Sequence, residues 1–495
     1  MSSAGSTSVS TEALVALEDR APELLWQREP EADDVLIWPL LRWPVAKALL
    51  EIERASFQPP AGPRAVGGGY RRLLAALSPN PFHTRRLKSH VDALFWVSGT
   101  TISASPAGYT DWLVGENAQS LGTRAAVLQD KALPAGATGA ARPRFANTFS
   151  AEDLLVRVML RTRRHPLSDA AKARARAYVA EIFSLIGIDV PPARQESVAV
   201  ELMGRLARVP AMRREVGRLL ERSTPKAVFI QMAAYGERSA LIADMHERGI
   251  RVLEHQHGFI SPEHQSYNFG KAMFSPELRA TLPDTLLTFG EFWGRGLRFP
   301  GEVVALGKAH LDLLAQAAPP LDQRPKRVVI ASSVRERERV EHLTLTLRDA
   351  LPADWQIAFR PHPSERATVA TLYPGLVDQQ RVSFDLEPDV YNSLASARAA
   401  RAYLVERARP VPFTVSLGEP GKDGRLFYGA DMAMNFREAR GKLADIFAGM
   451  DANEGRAEAP AIYLGSIDVP THFTTVAAEN ALDLGSREPI VSLWI

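Results

Sequence analysis

The sequence contains no cysteine. That excludes disulfides, thiolate nucleophiles and every metal site built on sulfur, and it fits a reducing compartment. No apolar run approaches the roughly 20 residues that a membrane span requires. Residues Met1 to Thr11 carry neither the basic start nor the apolar stretch of a secretory signal, so a disordered or loosely packed tail is expected over residues 1–30. Charge of one sign is also lacking. Lys and Arg number 59 against 57 Asp and Glu, a formal net charge of +2, which gives no global field for nucleic acid. The expected location is the cytoplasm, with peripheral contact at the inner face of the membrane left open.

What is present is an ordinary soluble composition, 46% hydrophobic and 23% charged, over 495 residues. Single cores seldom exceed about 250–300 residues, so two or more domains are expected. Asp34 to Pro39 reads as a first strand and Val45 to Leu50 as a helix. Asp92 to Val97 reads as a second strand, ending in Ser98-Gly99-Thr100-Thr101. Residues 150–222 read as a helical insertion rich in arginine, including Arg157, Arg161 and Arg163. Such helices bind anionic lipid or a charged acceptor, or simply present a solvated face.

Ala227 to Ile230, Ser239 to Met245 and Ile250 to Leu253 then form a strand, a helix and a strand, a βαβ unit that presents side chains at its carboxyl end. That end reads Glu254-His255-Gln256-His257-Gly258. An imidazole there can take a proton near neutrality, and the glycine leaves room for an approaching group. The bland alternative is a buried pair of structural histidines. Further strands follow at Thr285 to Gly290 and Val303 to Gly307, each ended by glycine. The proline-rich stretch Gln316 to Pro325 suits an interdomain linker, with domains over 31–318 and 326–495. The second domain opens with the strand Arg327 to Ala331 and Ser332-Ser333, then a helix from Val340 to Leu351. The next strand ends in Arg360-Pro361-His362-Pro363-Ser364-Glu365. Its prolines stiffen the turn that aims His362.

The order of Gln256-His257-Gly258, His264, Tyr267, Gly290, Gly307 and His362-Pro363 resembles bacterial surface-polysaccharide glycosyltransferases of the GT-B fold, in the style of capsule transferases, polysialyltransferases and CDP-glycerol glycerophosphotransferases. The resemblance runs from about Asp34 to Ala397. It implies an α/β fold of two Rossmann-like doubly wound domains facing across a cleft. It also implies transfer of a sugar or polyol phosphate from a nucleotide-sugar or CDP-polyol donor to a polysaccharide or lipid-linked acceptor. His257 is the candidate base, with Glu254 as orienter or substitute and His255 as orienter or rival. Gln256, Gly258, His264, Tyr267 and Asp111 are candidates for the acceptor side.

The resemblance puts the donor's phosphate on His362, with Arg360, Arg335, Ser332 and Ser333 as cradle candidates. Arg335 equally suits a solvated helix start. The resemblance also implies a helix at Pro388 to Leu394. Family members continue with a Ser pair and a Glu, for which Ser416 and Glu419 are the nearest substitutes in an atypical stretch. No Asp-x-Asp triplet stands at a strand end, so no metal and no cofactor are expected. A sugar-nucleotide epimerase of the same shape and a non-catalytic subunit of a polysaccharide assembly complex are the alternatives.

Overall fold

The chain's most continuous apolar runs become parallel strands, as expected where both faces of a sheet are covered. The computed structural model describes residues 9–55, 79–87, 90–99, 101–133, 135–258, 260–309, 327–332, 337–350, 353–354, 356–362 and 365–386, with the strands 402–405, 414–418, 474–477 and 490–494. The chain divides into two compact units, Met1–Gly307 with Arg437–Ile462, and Lys308–Phe436 with Tyr463–Ile495. The linker expected at Gln316 to Pro325 lies outside the described residues.

The first unit begins with helix α1 (Val9–Arg20) and a small antiparallel pair, β1 (Arg28–Glu29) and β2 (Val35–Leu36). Two expectations are corrected here. The supposed tail contains α1, whose Leu14 and Leu17 share one helical face and are fully buried. The strand expected over 34–39 stops at Leu36, because helix α2 (Ile37–Ala55) starts at once. Pro39 falls in its first turn, where the missing N–H has no partner to lose. Pro44 lies further inside, and the Leu40 carbonyl it leaves unbonded accepts instead from Arg205 at 2.9 Å.

A seven-stranded sheet follows, made of β3 (Ala93–Val97), β6 (Ala125–Gln129), β7 (Thr148–Ser150), β8 (Ala227–Ile230), β9 (Arg251–His255), β10 (Thr285–Thr288) and β11 (Glu302–Ala305). Their order is β11-β10-β9-β8-β3-β6-β7 and every pairing is parallel. The chain winds outward from β3 through β6 to β7, then returns to β8 and winds the other way. The topological switch point therefore lies between β3 and β8. A short hairpin, β4 (Ile102–Ser105) and β5 (Gly108–Asp111), and helix α3 (Gly115–Leu121) fill the β3–β6 connection.

The helical insertion is present as α4 (Glu152–Arg164), α5 (Asp169–Ile186) and α6 (Pro192–Ser223). Ser168 caps α5 by accepting from Ala171 N, and Gly187 ends it in the left-handed conformation. Its arginines serve the fold: Arg157 and Arg161 both pair with Glu215, which is 3% exposed. Helix α7 (Ser239–Glu247) joins β8 to β9. One core cluster packs Leu94, Trp96, Val228, Ile230 and Val252 against α4, α6 and α7. The other joins α1, α2, α5 and α6 to Ile260, Tyr267 and Phe269.

The second unit repeats the plan. Its sheet of seven runs β14 (Val382–Phe384), β13 (Gln356–Arg360), β12 (Arg327–Ala331), β15 (Ala402–Val405), β18 (Ile490–Trp494), β16 (Thr414–Gly418) and β17 (Thr474–Ala477). The first five are parallel, and β16 and β17 add antiparallel pairings. Helix α8 (Arg337–Ala350) crosses from β12 to β13. Two doubly wound α/β units are thus present, as expected.

Candidate functional site

In the first unit, β9 delivers Glu254 and His257 to one cluster with Tyr235, His264 and Tyr267. Glu254 is fully buried. Its Oε2 accepts from Ala234 N at 2.7 Å and its Oε1 from the Tyr267 hydroxyl at 2.6 Å. Burial pushes its carboxyl up to about 7. Tyr235 stands at the centre, with ring centroids 5.7 Å from His257, 6.0 Å from His264 and 6.1 Å from Tyr267. Trp43 packs on its other side at 4.5 Å. The loop that carries Tyr235 ends at Gly236, whose φ of +79° and whose closeness to the Pro39 carbonyl both require glycine.

The tautomer of His264 follows from its neighbours. Ser266 N donates to its Nδ1 at 3.2 Å, so that nitrogen is unprotonated in the neutral ring. Its Nε2 carries the hydrogen and faces the Tyr235 hydroxyl at 3.3 Å. Burial, with the charges of His257 and Arg42 adding to it, brings His264 down to about 4. Burial alone brings His257 down to about 4. The imidazole at His257 is therefore neutral at pH 7, and its Nδ1 is buried with no hydrogen-bond partner among the described residues.

His255 goes elsewhere. Its Nε2 lies 2.8 Å from Asn117 Nδ2, and its ring stacks on Phe229 at 6.3 Å. The sequence suggests that His255 and His257 project to one side, but the extended backbone ends at His255. Among the described residues His255 contacts Asn117 and Phe229, and His257 contacts Tyr235, so none of these contacts makes His255 the orienter of His257. Gln256 is fully buried and serves the fold. Its Oε1 accepts from Phe289 N at 2.7 Å, and its Nε2 donates to the Gly258 carbonyl at 2.8 Å. A Cβ at Gly258 would meet nothing within 4 Å. Asp111 also serves a turn: Oδ2 accepts from Thr101 Oγ1 at 2.8 Å, and Oδ1 from Leu113 N at 3.0 Å.

The loop holding His264 and Tyr267 is fixed by residues that the sequence did not single out. Arg42 and Glu18 form a buried ion pair at 2.6 Å. Arg42 donates to the carbonyls of Gln265 and, at 2.7 Å, Asn268, while Glu18 accepts from Gly270 N at 2.8 Å and from Trp38 Nε1 at 2.9 Å. Only the spacing Glu18, Trp38, Arg42, all polar or amphipathic on otherwise apolar helices, hinted at this.

In the second unit, Ser332 follows β12 at the carboxyl edge of the sheet. His362 N donates to its Oγ at 3.3 Å, and the Tyr373 hydroxyl lies 3.2 Å from that oxygen and 2.9 Å from Glu365 Oε2. Arg337 Nε reaches Glu365 Oε1 at 2.6 Å. His362 is exposed to solvent, and partial desolvation on its protein-facing side holds its pKa below the ordinary value. Arg360 is not beside it. That residue is 4% exposed and pairs with Asp385 at 2.9 Å, which removes it from a phosphate cradle. Ser416 lies on β16. Ser333, Arg335, Glu419 and the helix expected at Pro388 to Leu394 lie outside the described residues.

Among the described residues no group of three or more His, Asp or Glu is placed to hold a metal ion, and no helix is long and apolar enough to cross a membrane.

No protein-family model matches this chain, and no curated protein matches it. Among solved structures it is similar to a UDP-GlcNAc 2-epimerase from Methanocaldococcus jannaschii, at 11% identity over 64% of this chain and 78% of that one, with a TM-score of 0.32. It is also similar to the UDP-GlcNAc 2-epimerase of Neisseria meningitidis bound to UDP-GlcNAc, at 13% identity over 63% and 77%, with a TM-score of 0.32. A third is the UDP-N-acetylglucosamine 2-epimerase of Rickettsia bellii, at 13% identity over 64% and 74%, with a TM-score of 0.31. These likenesses assign the chain to no family.

Proposed function

We propose that this protein is an enzyme acting on a nucleotide-activated sugar, with His257 as the group that accepts the proton of the reacting position. The observation that supports it is the His257 imidazole, neutral at pH 7, with an unpaired buried nitrogen and the Tyr235 ring 5.7 Å away. A buried polar atom left without a partner is rare enough to need a reason, and a substrate hydroxyl supplies one. A pKa of about 4 makes this a weaker base than an ordinary imidazole, but one that is unprotonated throughout the neutral range.

Two reactions use such a group. In transfer, His257 takes the proton of an acceptor hydroxyl as its oxygen bonds to the activated carbon of the donor. The bond from that carbon to the phosphate oxygen breaks, and the nucleotide leaves with the electron pair; with a CDP-polyol the acceptor oxygen bonds instead to the polyol's phosphorus, whose bond to the bridging oxygen breaks to release CMP. His362 is the candidate contact for the phosphate, which agrees with its exposed position on a stiff turn. In this reading the donor is a nucleotide sugar or CDP-polyol, the acceptor a surface polysaccharide or its lipid-linked precursor, and no metal or cofactor is required. The second reading is sugar-nucleotide epimerisation, which removes a proton from the sugar and returns one. It is favoured by a second proton-bearing group beside His257, the hydroxyl of Tyr235, whose ring lies 5.7 Å from the imidazole. That is the reaction named for the three similar structures, and the choice between the readings rests on turnover.

The test is a thermal-shift panel with CMP, CDP, UDP, GDP and dTDP, followed by turnover of the matching nucleotide sugar in EDTA with and without an oligosaccharide acceptor. Consumption only with acceptor establishes transfer, and conversion without it establishes epimerisation. Binding with neither leaves a non-catalytic subunit, and no stabilisation by any nucleotide overturns the proposal.

A further inference from the structure

The switch point of the first sheet carries a second cluster that neither sequence motif nor proposed base explains. At the carboxyl ends of β8, β3 and β6, Gln231, Ser98 and Asp130 form one row across neighbouring strands. Gln231 N donates to Trp96 O at 3.0 Å, and Asp130 N donates to Val97 O at 2.9 Å. Gln231 is 6% exposed. Its Oε1 accepts from Ser98 N at 2.8 Å and from Ser98 Oγ at 2.9 Å.

That pair of contacts fixes the amide. A backbone N–H can only donate, so the oxygen must face Ser98, and the NH2 group lies on the opposite side with both hydrogens to give. Among the described residues the side chain's hydrogen bonds are those of its oxygen to Ser98, and the NH2 group is not sealed from solvent, so its hydrogens are open to a ligand. A buried side chain held in one orientation, with two donors left unused, sits where open α/β sheets bind their ligands. Two residues constrain the ligand's charge. Arg238 pairs with Asp130 at 2.6 Å and lies over the Trp96 ring at 4.3 Å, and Trp96 Nε1 donates to the other Asp130 oxygen at 2.8 Å. Arg238 and Asp130 thus satisfy each other, and this pair brings no net charge to the row for an ionic ligand.

We propose that Gln231 reads an uncharged oxygen of the sugar substrate, a ring hydroxyl or an acetamido carbonyl, through its two amide hydrogens. This rests on the proposed action on a nucleotide sugar and names the residue that selects the sugar. Gln231 and Tyr235 lie on one loop, four residues apart between β8 and Gly236, so the reading amide and the proton-accepting cluster share one connection.

The test measures binding of N-acetylglucosamine and of glucuronate by saturation-transfer NMR on the full chain. The variants are Gln231→Glu, which keeps an oxygen for Ser98 and turns the two donors into an acceptor, and Gln231→Met, which removes them without charge. Each variant's melting temperature is checked. Wild type should bind N-acetylglucosamine more tightly than glucuronate, and both variants should lose affinity for it by about 10-fold or more while remaining folded. Equal affinity in either folded variant, preference for glucuronate, or no binding of N-acetylglucosamine by wild type overturns the inference. The broader proposal is judged separately by the nucleotide panel, so the two can fail independently.

Discussion

Tyr267 donates its hydroxyl to Oε1 of Glu254 at 2.6 Å, and both side chains are fully buried. With Ala234 N on the other oxygen, the carboxyl has no remaining access to a substrate. Glu254 is therefore a positioning residue. It ties β9 to the loops that carry Tyr235 and Tyr267, and proton acceptance falls to His257.

Glu254→Gln should flatten the pH dependence of stability. The native carboxyl is raised to about 7 against an ordinary value of 4.5, so the folded state keeps a proton that the unfolded chain gives up. Stability from that proton is full below about pH 4 and is lost as pH rises through 7, a difference on the order of 3 kcal/mol. Glutamine mimics the protonated form, with its amide facing the Tyr267 oxygen. Melting at pH 5 and pH 8 should therefore differ less in the variant, and an unchanged slope contradicts the assignment.

Arg42→Met should cost about 3–5 kcal/mol, because it strands the buried carboxylate of Glu18. The double change Arg42→Met with Glu18→Leu should recover part of that loss in urea unfolding. If the single and double variants are equally destabilised, the pair is not what holds the 261–270 loop.

Gly258→Ala isolates the approach of substrate from the fold. Open space surrounds a Cβ there, so melting should be unchanged to within about 0.5 kcal/mol. If a substrate passes Gly258, KM rises while the fold is intact. Unchanged KM and kcat would place the approach elsewhere.

Much of this was legible in the sequence. The strands at 93–97, 227–230, 327–331 and 356–360 read almost directly from their apolar runs, whereas β9 read as 250–253 and in fact continues through Glu254 and His255. Helix α1 was missed: its run Ala13 to Leu17 directly follows a Ser/Thr-rich start, which drew the whole segment into the expected tail. Glu254 and His257 were visible as a motif. Gln231 and Tyr235 were not, because they reach the site through sheet topology rather than spacing. Arg360 was misassigned for a related reason. It is the last residue of β13 and turns to Asp385, while His362 already belongs to the turn, so closeness in sequence did not mean a shared face.

That division makes His362 and Arg360 separable. His362→Ala should weaken nucleotide binding roughly 10-fold, the loss of a charge-assisted contact, with little change in melting. Arg360→Ala should instead lower the melting temperature by removing the buried cation that pairs with Asp385. Reversed results would return Arg360 to the phosphate and His362 to the scaffold.

The most direct measurement is the pH profile of kcat/KM for the nucleotide sugar selected by the panel, in EDTA, for wild type and His257→Ala with donor affinity measured alongside. With His257 as the proton acceptor at about 4, the wild-type acid limb should fall near pH 4 rather than 6.5. The variant should lose roughly 10²–10⁴ in kcat and keep its donor affinity. A variant that turns over at the wild-type rate, or one that melts early and releases the donor, would show His257 to be a structural histidine and not the base.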